Sequence, residues 1–275
     1  MDASTDDSDR QRAVQSVEVG GRLLLALSES EIPLPLKELA ARSGLSASRA
    51  HPYLVSYQRL GLVEQDRETG RYALGPAALQ IGLSALHQLD PLKAAGPVAE
   101  ELAQETGHMV ALAVWGNIGP TIVRLIEARQ PLHVLLRVGS VMSIFGTATG
   151  RAFAASMPAE RLERTDMAAV GDLPQRTPPW KVPRDELAHV KQEMSRHGVM
   201  RAVGSPIPGV NAFSAPAFNH EGDAALVVTV INHEGRLHSS WDSPDARRLL
   251  QAARSITLKL GGNVKRHPSS TPPRK

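Results

Sequence analysis

Three short runs of helical apolar spacing, stopped by Pro33, Pro35, Gly44 and Gly61 and followed at once by two strand-like runs, leave residues 16 to 75 few folds to choose from. From Ser16 to Ser28, Val19, Leu23, Leu24 and Leu27 recur on one helical face. Pro33 and Pro35 disfavour helix in the residues before them, so a second helix starts at Leu36; it stops at Gly44, because glycine adopts a left-handed cap at little cost. Ser46 is a good N-cap for a third helix, in which Ala50, Leu54, Tyr57 and Leu60 lie near one face before Gly61. Leu62 to Gln65 and Arg71 to Leu74 then read as strands around a loop at 66 to 70. Three helices with a tight turn at Gly44, completed by a hairpin, predict a winged helix-turn-helix over residues 13 to 75.

The chain has 275 residues, enough for a second domain, and its strongest internal break is Leu89-Asp90-Pro91. The stretch 76 to 90 carries Ala77, Ala78, Ile81, Leu83, Leu86 and Leu89 with hardly any charge, which predicts a linker helix that must bury much of its surface. It can do so on its own domain or on the same helix of a second subunit. Beyond it, helical spacing at 91 to 106, 147 to 157, 158 to 168, 184 to 197 and 245 to 260 is interleaved with strand-like runs. These fall at 109 to 115, 121 to 127, 132 to 138, 199 to 203, 211 to 218 and 224 to 232. Meandering strands with grouped helices predict an α+β domain with an antiparallel sheet over 91 to 262. The polar ends, 1 to 12 and 263 to 275, read as disordered tails.

Much chemistry is excluded at this point. The chain has no cysteine, hence no disulfide, thiolate metal site or cysteine nucleophile. Its longest apolar stretch, Ala224 to Ile231, is too short to span a membrane, and four aspartates stand in the first nine residues where a secretory signal needs positive charge. A cytoplasmic protein is expected. A net charge of +3, from 31 basic and 28 acidic side chains, permits a nucleic-acid partner without requiring one. The ten histidines lack metal-ligand spacing; the tightest pair, His233 and His238, flanks a turn. Neither a phosphate-cradling lysine loop nor a dinucleotide fingerprint occurs, so no cofactor, metal or catalytic residue is expected. Trp115, Trp180 and Trp241 are too far apart for a stacking platform and read as packing residues. Gly146-Thr147-Ala148-Thr149-Gly150 has the spacing of a nucleophile elbow, but Ala148 holds the central place and carries no nucleophile. As a helix start the same residues offer unpaired amides to an anion such as a carboxylate; alternatively, Thr147 simply caps the helix and the glycines allow close packing.

Several segments, in order, resemble the IclR family of bacterial transcriptional regulators. They are Leu36-Lys37-Glu38-Leu39-Ala40, Ser43-Gly44-Leu45-Ser46, Gly61-Leu62-Val63-Glu64-Gln65 and Gly70-Arg71-Tyr72-Ala73-Leu74-Gly75. The likeness continues through Leu89-Asp90, residues 97 to 107, Val138-Gly139-Ser140, residues 147 to 153 and residues 209 to 216, and spans roughly 15 to 260. It implies a GAF-like effector-binding domain after the linker helix, subunits paired as a homodimer or tetramer, operator DNA as partner and a small-molecule effector. In a helix-turn-helix the third helix enters the major groove while its neighbours and the wing touch phosphates. The candidates are therefore Ser46, Ser48, Arg49, His51 and Tyr53 on that helix and Arg67 and Arg71 in the wing. Arg49 is the only long bidentate donor of the helix set; solvated charge is the alternative for any of these arginines.

Pro52 stands where many family members have a basic residue, and proline inside a helix costs about 3 kcal/mol. Either the recognition helix is kinked, or its regular part begins near Pro52 and groove contacts shift toward Tyr53, Ser56 and Tyr57. Carried over by motif, the effector pocket is Ala148, Thr149, Ala202, Ala212, Thr229 and Ile231, mostly small or apolar, with two hydroxyls. Such a lining suits an apolar body with one polar group, for example an aromatic or short-chain organic acid. A protein-interaction or sensor module whose winged helix no longer reads DNA is the competing expectation, with Pro52 as its support.

Overall fold

A computed structural model describes residues 14 to 130, 132, 134 to 163 and 182 to 264; the expected tail at 1 to 12, most of that at 263 to 275, and Trp180 lie outside the described residues. The chain divides into two compact units at Leu89/Asp90.

In the first unit, α1 (Gln15–Ser28), α2 (Leu36–Arg42) and α3 (Ala47–Arg59) bury Leu23, Leu39 and Leu54 together with Leu34, Val63 and Tyr72 in one core. Gly44, with φ +69°, makes the turn between α2 and α3. Strands β1 (Val63–Gln65) and β2 (Tyr72–Leu74) pair antiparallel, and Leu34 bridges to Tyr72, so the hairpin is tied to the segment before α2.

Helix α3 runs unbroken through Pro52, which overturns the reading of residues 46 to 51 as a separate turn. The Ser46 hydroxyl accepts from the Arg49 amide (3.4 Å) and the Ser46 carbonyl from that of Ala50 (3.0 Å), so the helix is set upstream of the proline. Buried Ala50 and Leu54 then hold it on both sides. Pro52 and Ser48, whose carbonyl loses its partner four residues on, are both exposed to solvent.

Helix α4 (Pro76–His87) closes the unit with no buried residue: Leu79, Ile81, Leu83 and Leu86 are between 39% and 64% exposed. Its first turn follows Gly75 directly, and the Ala77 amide donates to the Gly61 carbonyl (3.0 Å).

The second unit carries a five-stranded antiparallel sheet in the order β4-β3-β7-β6-β5. Its strands are β3 (Met109–Gly116), β4 (Gly119–Ile126), β5 (Met200–Val203), β6 (Val210–Phe218) and β7 (Ala224–His233). Along β7, Val227, Thr229 and Ile231 share one face and Leu226, Val228 and Val230 the other, and all six are buried. Both faces are therefore covered, which is why β7 reads as a continuous apolar run. Helices α5 (Pro91–Thr106) and α9 (Pro244–Lys259) pack on one side; α6 (Ala148–Ser156) and α8 (Arg184–His197) pack on the other, around Phe153. The helix expected at 158 to 168 is described as α7 (Ala159–Glu163), its remainder lying outside the described residues.

None of the described residues between 132 and 138 lies in the strand expected there. Its alternation is real, for Leu132, Val134 and Leu136 pack on the core while Leu135 is 91% exposed. The edge of β4 is taken instead by the residues that follow. The Ile122 amide donates to the Ser140 carbonyl (2.9 Å), Gly139 to Ile122 (2.8 Å) and Met142 to Pro120 (2.7 Å). Alternation reports which face is buried, and a ladder needs a free partner as well.

Candidate functional site

The N-terminal turn of α6 is built on the segment before it. The Thr147 hydroxyl accepts from the Gly150 amide (3.0 Å) and donates to the Ser143 carbonyl (2.8 Å), while the Ser143 hydroxyl accepts from the Gly146 amide (3.1 Å). The Arg151 amide bonds the Thr147 carbonyl. The amides of Ala148 and Thr149 have no protein acceptor among the described residues, as the geometry of a helix start dictates.

This turn faces two rows of the sheet. Strand register sets Met109, Ile231, Ala212 and Ala202 side by side across β3, β7, β6 and β5, and two residues along sets Ala111, Thr229, Ser214 and Met200 in the same way. Side chains two apart on a strand share a face, so both rows look toward α6. Between the rows, α6 and the irregular segments lies a cavity of about 350 Å³. Ala148, Thr149, Ala202, Ala212, Thr229 and Ile231, taken from four separate stretches of sequence, all line it. Sequence reasoning missed other parts of the wall, among them Leu136 and Met142 from the stretch read as a strand and its sequel, and Ile207 from the loop before β6. The apolar alternation at 132 to 136 was the available signal.

The lining residues include no lysine, arginine, histidine, aspartate or glutamate among those described. Arg151, two positions past Thr149, is engaged by Glu193 and by the Arg201 carbonyl. Polar chemistry comes instead from hydroxyls. Thr149 Oγ1 and Thr229 Oγ1 are 2.9 Å apart, and Thr229 Oγ1 lies 2.8 Å from Ser214 Oγ. Among the described residues no group of histidines and carboxylates could hold a metal ion. Trp115 meets Phe153 edge-on at 5.5 Å, and Trp241 stacks on His197 at 4.1 Å.

In the winged unit, Arg49 and His51 stand exposed on the N-terminal half of α3, and the Arg49 guanidinium has no partner among the described residues. The hydroxyls of Ser46 and Ser48 bond each other at 3.1 Å. Tyr53 is half-buried and packs with Tyr57 over Gly20 of α1, where an added Cβ would lie 3.0 Å from the Tyr53 ring. Burial raises the Tyr57 phenol above its ordinary pKa, with Tyr53 adding to the shift. Ser56 is exposed and donates to the Pro52 carbonyl (3.0 Å); with α3 starting at Ala47, the late helix start that would shift contacts toward Tyr53, Ser56 and Tyr57 is absent. In the wing, Arg67 is exposed, while Arg71 donates to the Pro33 carbonyl (3.0 Å) and fastens the hairpin to the loop before α2.

The wing tip is shaped by Asp66, whose carboxylate accepts from the Thr69 amide (2.6 Å), the Thr69 hydroxyl (2.7 Å) and the Glu68 amide (3.0 Å). These bonds to Thr69 and Glu68 hold its pKa below the ordinary aspartate value. A lowered folded pKa stabilises the loop above the unfolded value, and that contribution is lost as pH falls through the folded one. Acidification through and below the ordinary aspartate range should therefore release the tip. Amide resonances of Glu68 and Thr69 should shift with Asp66 titration while those of α3 hold still; an immobile Thr69 resonance would refute the assignment.

The fold thus joins a winged helix to an α+β unit enclosing a cavity of small-molecule size, the two parts a ligand-responsive DNA-binding protein requires. Residues 16–67 match the IclR helix-turn-helix domain model and residues 83–258 the bacterial transcriptional regulator IclR C-terminal model. The crystal structure of Pseudomonas aeruginosa HmgR superposes with a TM-score of 0.80 at 34% identity, covering 91% of this chain and 100% of that one. The HTH-type transcriptional regulator KipR of Bacillus subtilis is 26% identical over 86% of this chain and 94% of its own. The transcriptional repressor IclR of Escherichia coli is 24% identical over 90% and 91%. The chain belongs to the IclR family: it is a transcriptional regulator with a helix-turn-helix DNA-binding domain and a C-terminal effector domain, and not an enzyme.

Proposed function

We propose that this regulator binds operator DNA as a homodimer or tetramer and that a small organic acid, aromatic or short-chain, occupies the cavity and shifts operator affinity. The observation carrying this reading is that the six motif-matched residues converge on one cavity with apolar walls, hydroxyls and the free amides of α6. An apolar body fills the walls while its carboxylate meets the helix start, where the dipole favours negative charge. Arg49 reads a base edge or a phosphate, Ser46, Ser48 and His51 stand beside the backbone, and Arg67 and Arg71 bring the wing to phosphates. The exposed apolar side chains of α4 supply a surface for a second copy, whose winged helix takes the other half-site. Because an effector acts only through differential affinity for two states, the proposal requires a ligand that changes operator binding and not merely one that binds. Action on operator DNA implies a cytoplasmic protein; no helix among the described residues is long and apolar enough to cross a membrane.

The test is a fluorescence-anisotropy titration against the native upstream intergenic DNA and a shuffled duplex at several salt concentrations. Preference for the native fragment by about a hundredfold or more is expected. Equal, purely salt-driven binding to both would refute operator recognition there and favour a winged helix with another partner.

A further inference from the structure

On the side of the sheet away from the cavity, α5 and α9 lie next to each other and present a patterned charge to solvent. His108, two residues past α5, places Nε2 3.3 Å from the Asp245 carboxylate in the first turn of α9, and residues 98 to 105 share a groove with residues 248 to 255. The helices therefore run antiparallel. The groove, of about 180 Å³, has Glu101 and Glu105 on one wall, Arg248 and Gln251 on the other, and Val98 and Ala252 at its floor. Exposed on α5 are Glu100, Glu101 and Glu105; exposed on α9 are Arg247, Arg248 and Lys259. Arg124 of β4 takes Glu100, but neither Glu101 nor Glu105 has an ion-pair partner among the described residues. These charges also stand at the wrong ends for their own helices. Glu105 is in the last turn of α5, where the dipole favours a cation, and Arg247 is in the first turn of α9, where it favours an anion. Helix stability does not account for the pattern, and the charges point outward.

We propose that the α5/α9 face is a self-association surface, on which a second copy of this chain sits about a two-fold axis parallel to the helices. A two-fold axis can bring two such faces together in two ways. Set across the helices, it lays α5 on α5 and α9 on α9, so that like charges meet. Set along them, it lays α5 of each copy on α9 of the other with the ends still matched. Glu101 and Glu105 then meet Arg247 and Arg248, twice by symmetry. At the far end Leu258, 64% exposed, comes opposite Ala94 and Pro97. Charge thus selects one arrangement and opposes the other. Two helices of 16 residues, about 24 Å long and together about 20 Å wide, give two copies about 1,000 Å² to bury, the size at which specific interfaces begin. This face is separate from α4 and stands as an interface whether or not α4 is one; it does not depend on the effector reading.

The test follows the full chain and two charge-reversed variants by sedimentation velocity over a concentration series, without DNA. Glu101→Arg with Glu105→Arg, and Arg247→Glu with Arg248→Glu, alter exposed residues only, and each reversal suits its own helix dipole, so both variants should fold as the wild type does. Each alone should self-associate about a hundredfold more weakly, because like charges now meet twice. An equimolar mixture of the two should recover the wild-type association, since every contact across a mixed pair is again acid against base. Rising ionic strength should weaken the wild type and the mixture alike. Repeating the series in a Leu79→Asp background takes the apolar surface of α4 out of the comparison. Association within about twofold of wild type in both variants would leave this face to solvent or to another protein and overturn the proposal. A loss in both variants that mixing does not repair would overturn it as well, by removing the contact of α5 with α9. Failure of operator binding in the anisotropy titration would leave these results untouched, so the two readings fall separately.

Discussion

Gly150→Ala should destabilise the C-terminal unit by more than about 3 kcal/mol, at the upper end of what overpacking does. Gly150 does not need glycine for its backbone angles; the demand is spatial. A methyl group there would drive into the Ser143 carbonyl oxygen and lie 2.6 Å from both Cα and the carbonyl oxygen of Ile144. All three are backbone atoms, so no side chain can swing aside, and relief requires α6 to lift off the segment that forms its N-terminal support. That movement would separate Thr149 from Thr229 and open the cavity. Gly146→Ala is the informative contrast, because its methyl would meet the Ser143 side chain: Oγ, at 2.8 Å, can rotate away, and only a tight 3.1 Å approach to Cβ remains. Denaturant unfolding of both variants, followed by tryptophan fluorescence for the C-terminal unit, which holds all three tryptophans, and by Tyr57 resonances for the winged one, separates the outcomes. A Gly150→Ala midpoint equal to that of Gly146→Ala would refute the steric account, and so would a matching loss in the winged unit.

Arg49→Ala should lower operator affinity by about 1 to 3 kcal/mol, some tenfold to more than a hundredfold, while leaving the melting temperature unchanged. The two halves of this expectation have one cause. The Arg49 side chain is exposed and without an internal partner among the described residues, so the folded chain loses nothing when it is truncated. Its backbone amide, which helps cap α3 on Ser46, survives the substitution. If Arg49 contacts a base, discrimination should relax at one operator position; if it contacts a phosphate, binding should weaken on all sequences and the salt slope should drop by about one. Affinity within about twofold of wild type would remove Arg49 from the interface altogether.

The winged unit was largely legible because its signals are local: Gly44, Gly61 and the prolines stop helices whatever lies elsewhere, and apolar spacing names the buried face. Tyr53, one of the groove candidates, also takes part in packing, and the sequence held the signal for that. It lies three residues after Ala50 and four before Tyr57, on the face already marked as apolar. Pro52 misled in the opposite sense, since a local penalty was outweighed by a cap upstream and by the packing of Ala50 and Leu54. The cavity is another matter. Its residues are brought together by strand register and by α6, neither of which periodicity reveals, and six of them became nameable only through likeness to a family. The stretch from 132 to 142 escaped altogether, for alternation looks the same whether a segment joins a ladder or merely walls a cavity.

The cavity also divides its labour in a way that bears on how such regulators diversify. Ala148, Ala202 and Ala212 put methyl groups on the wall, whereas Thr149 and Thr229 supply the polar end, with the buried Ser214 bonded to Thr229 behind it. Enlarging an alanine shortens the longest ligand that fits and leaves the hydroxyls untouched; shrinking Ile207 or Met142 does the reverse. On the proposed reading of the cavity as the effector site, ligand length and head-group chemistry are consequently encoded at separate positions. A lineage can exchange one metabolite for a longer or shorter homologue by single substitutions, without first surrendering recognition of the group that both molecules share.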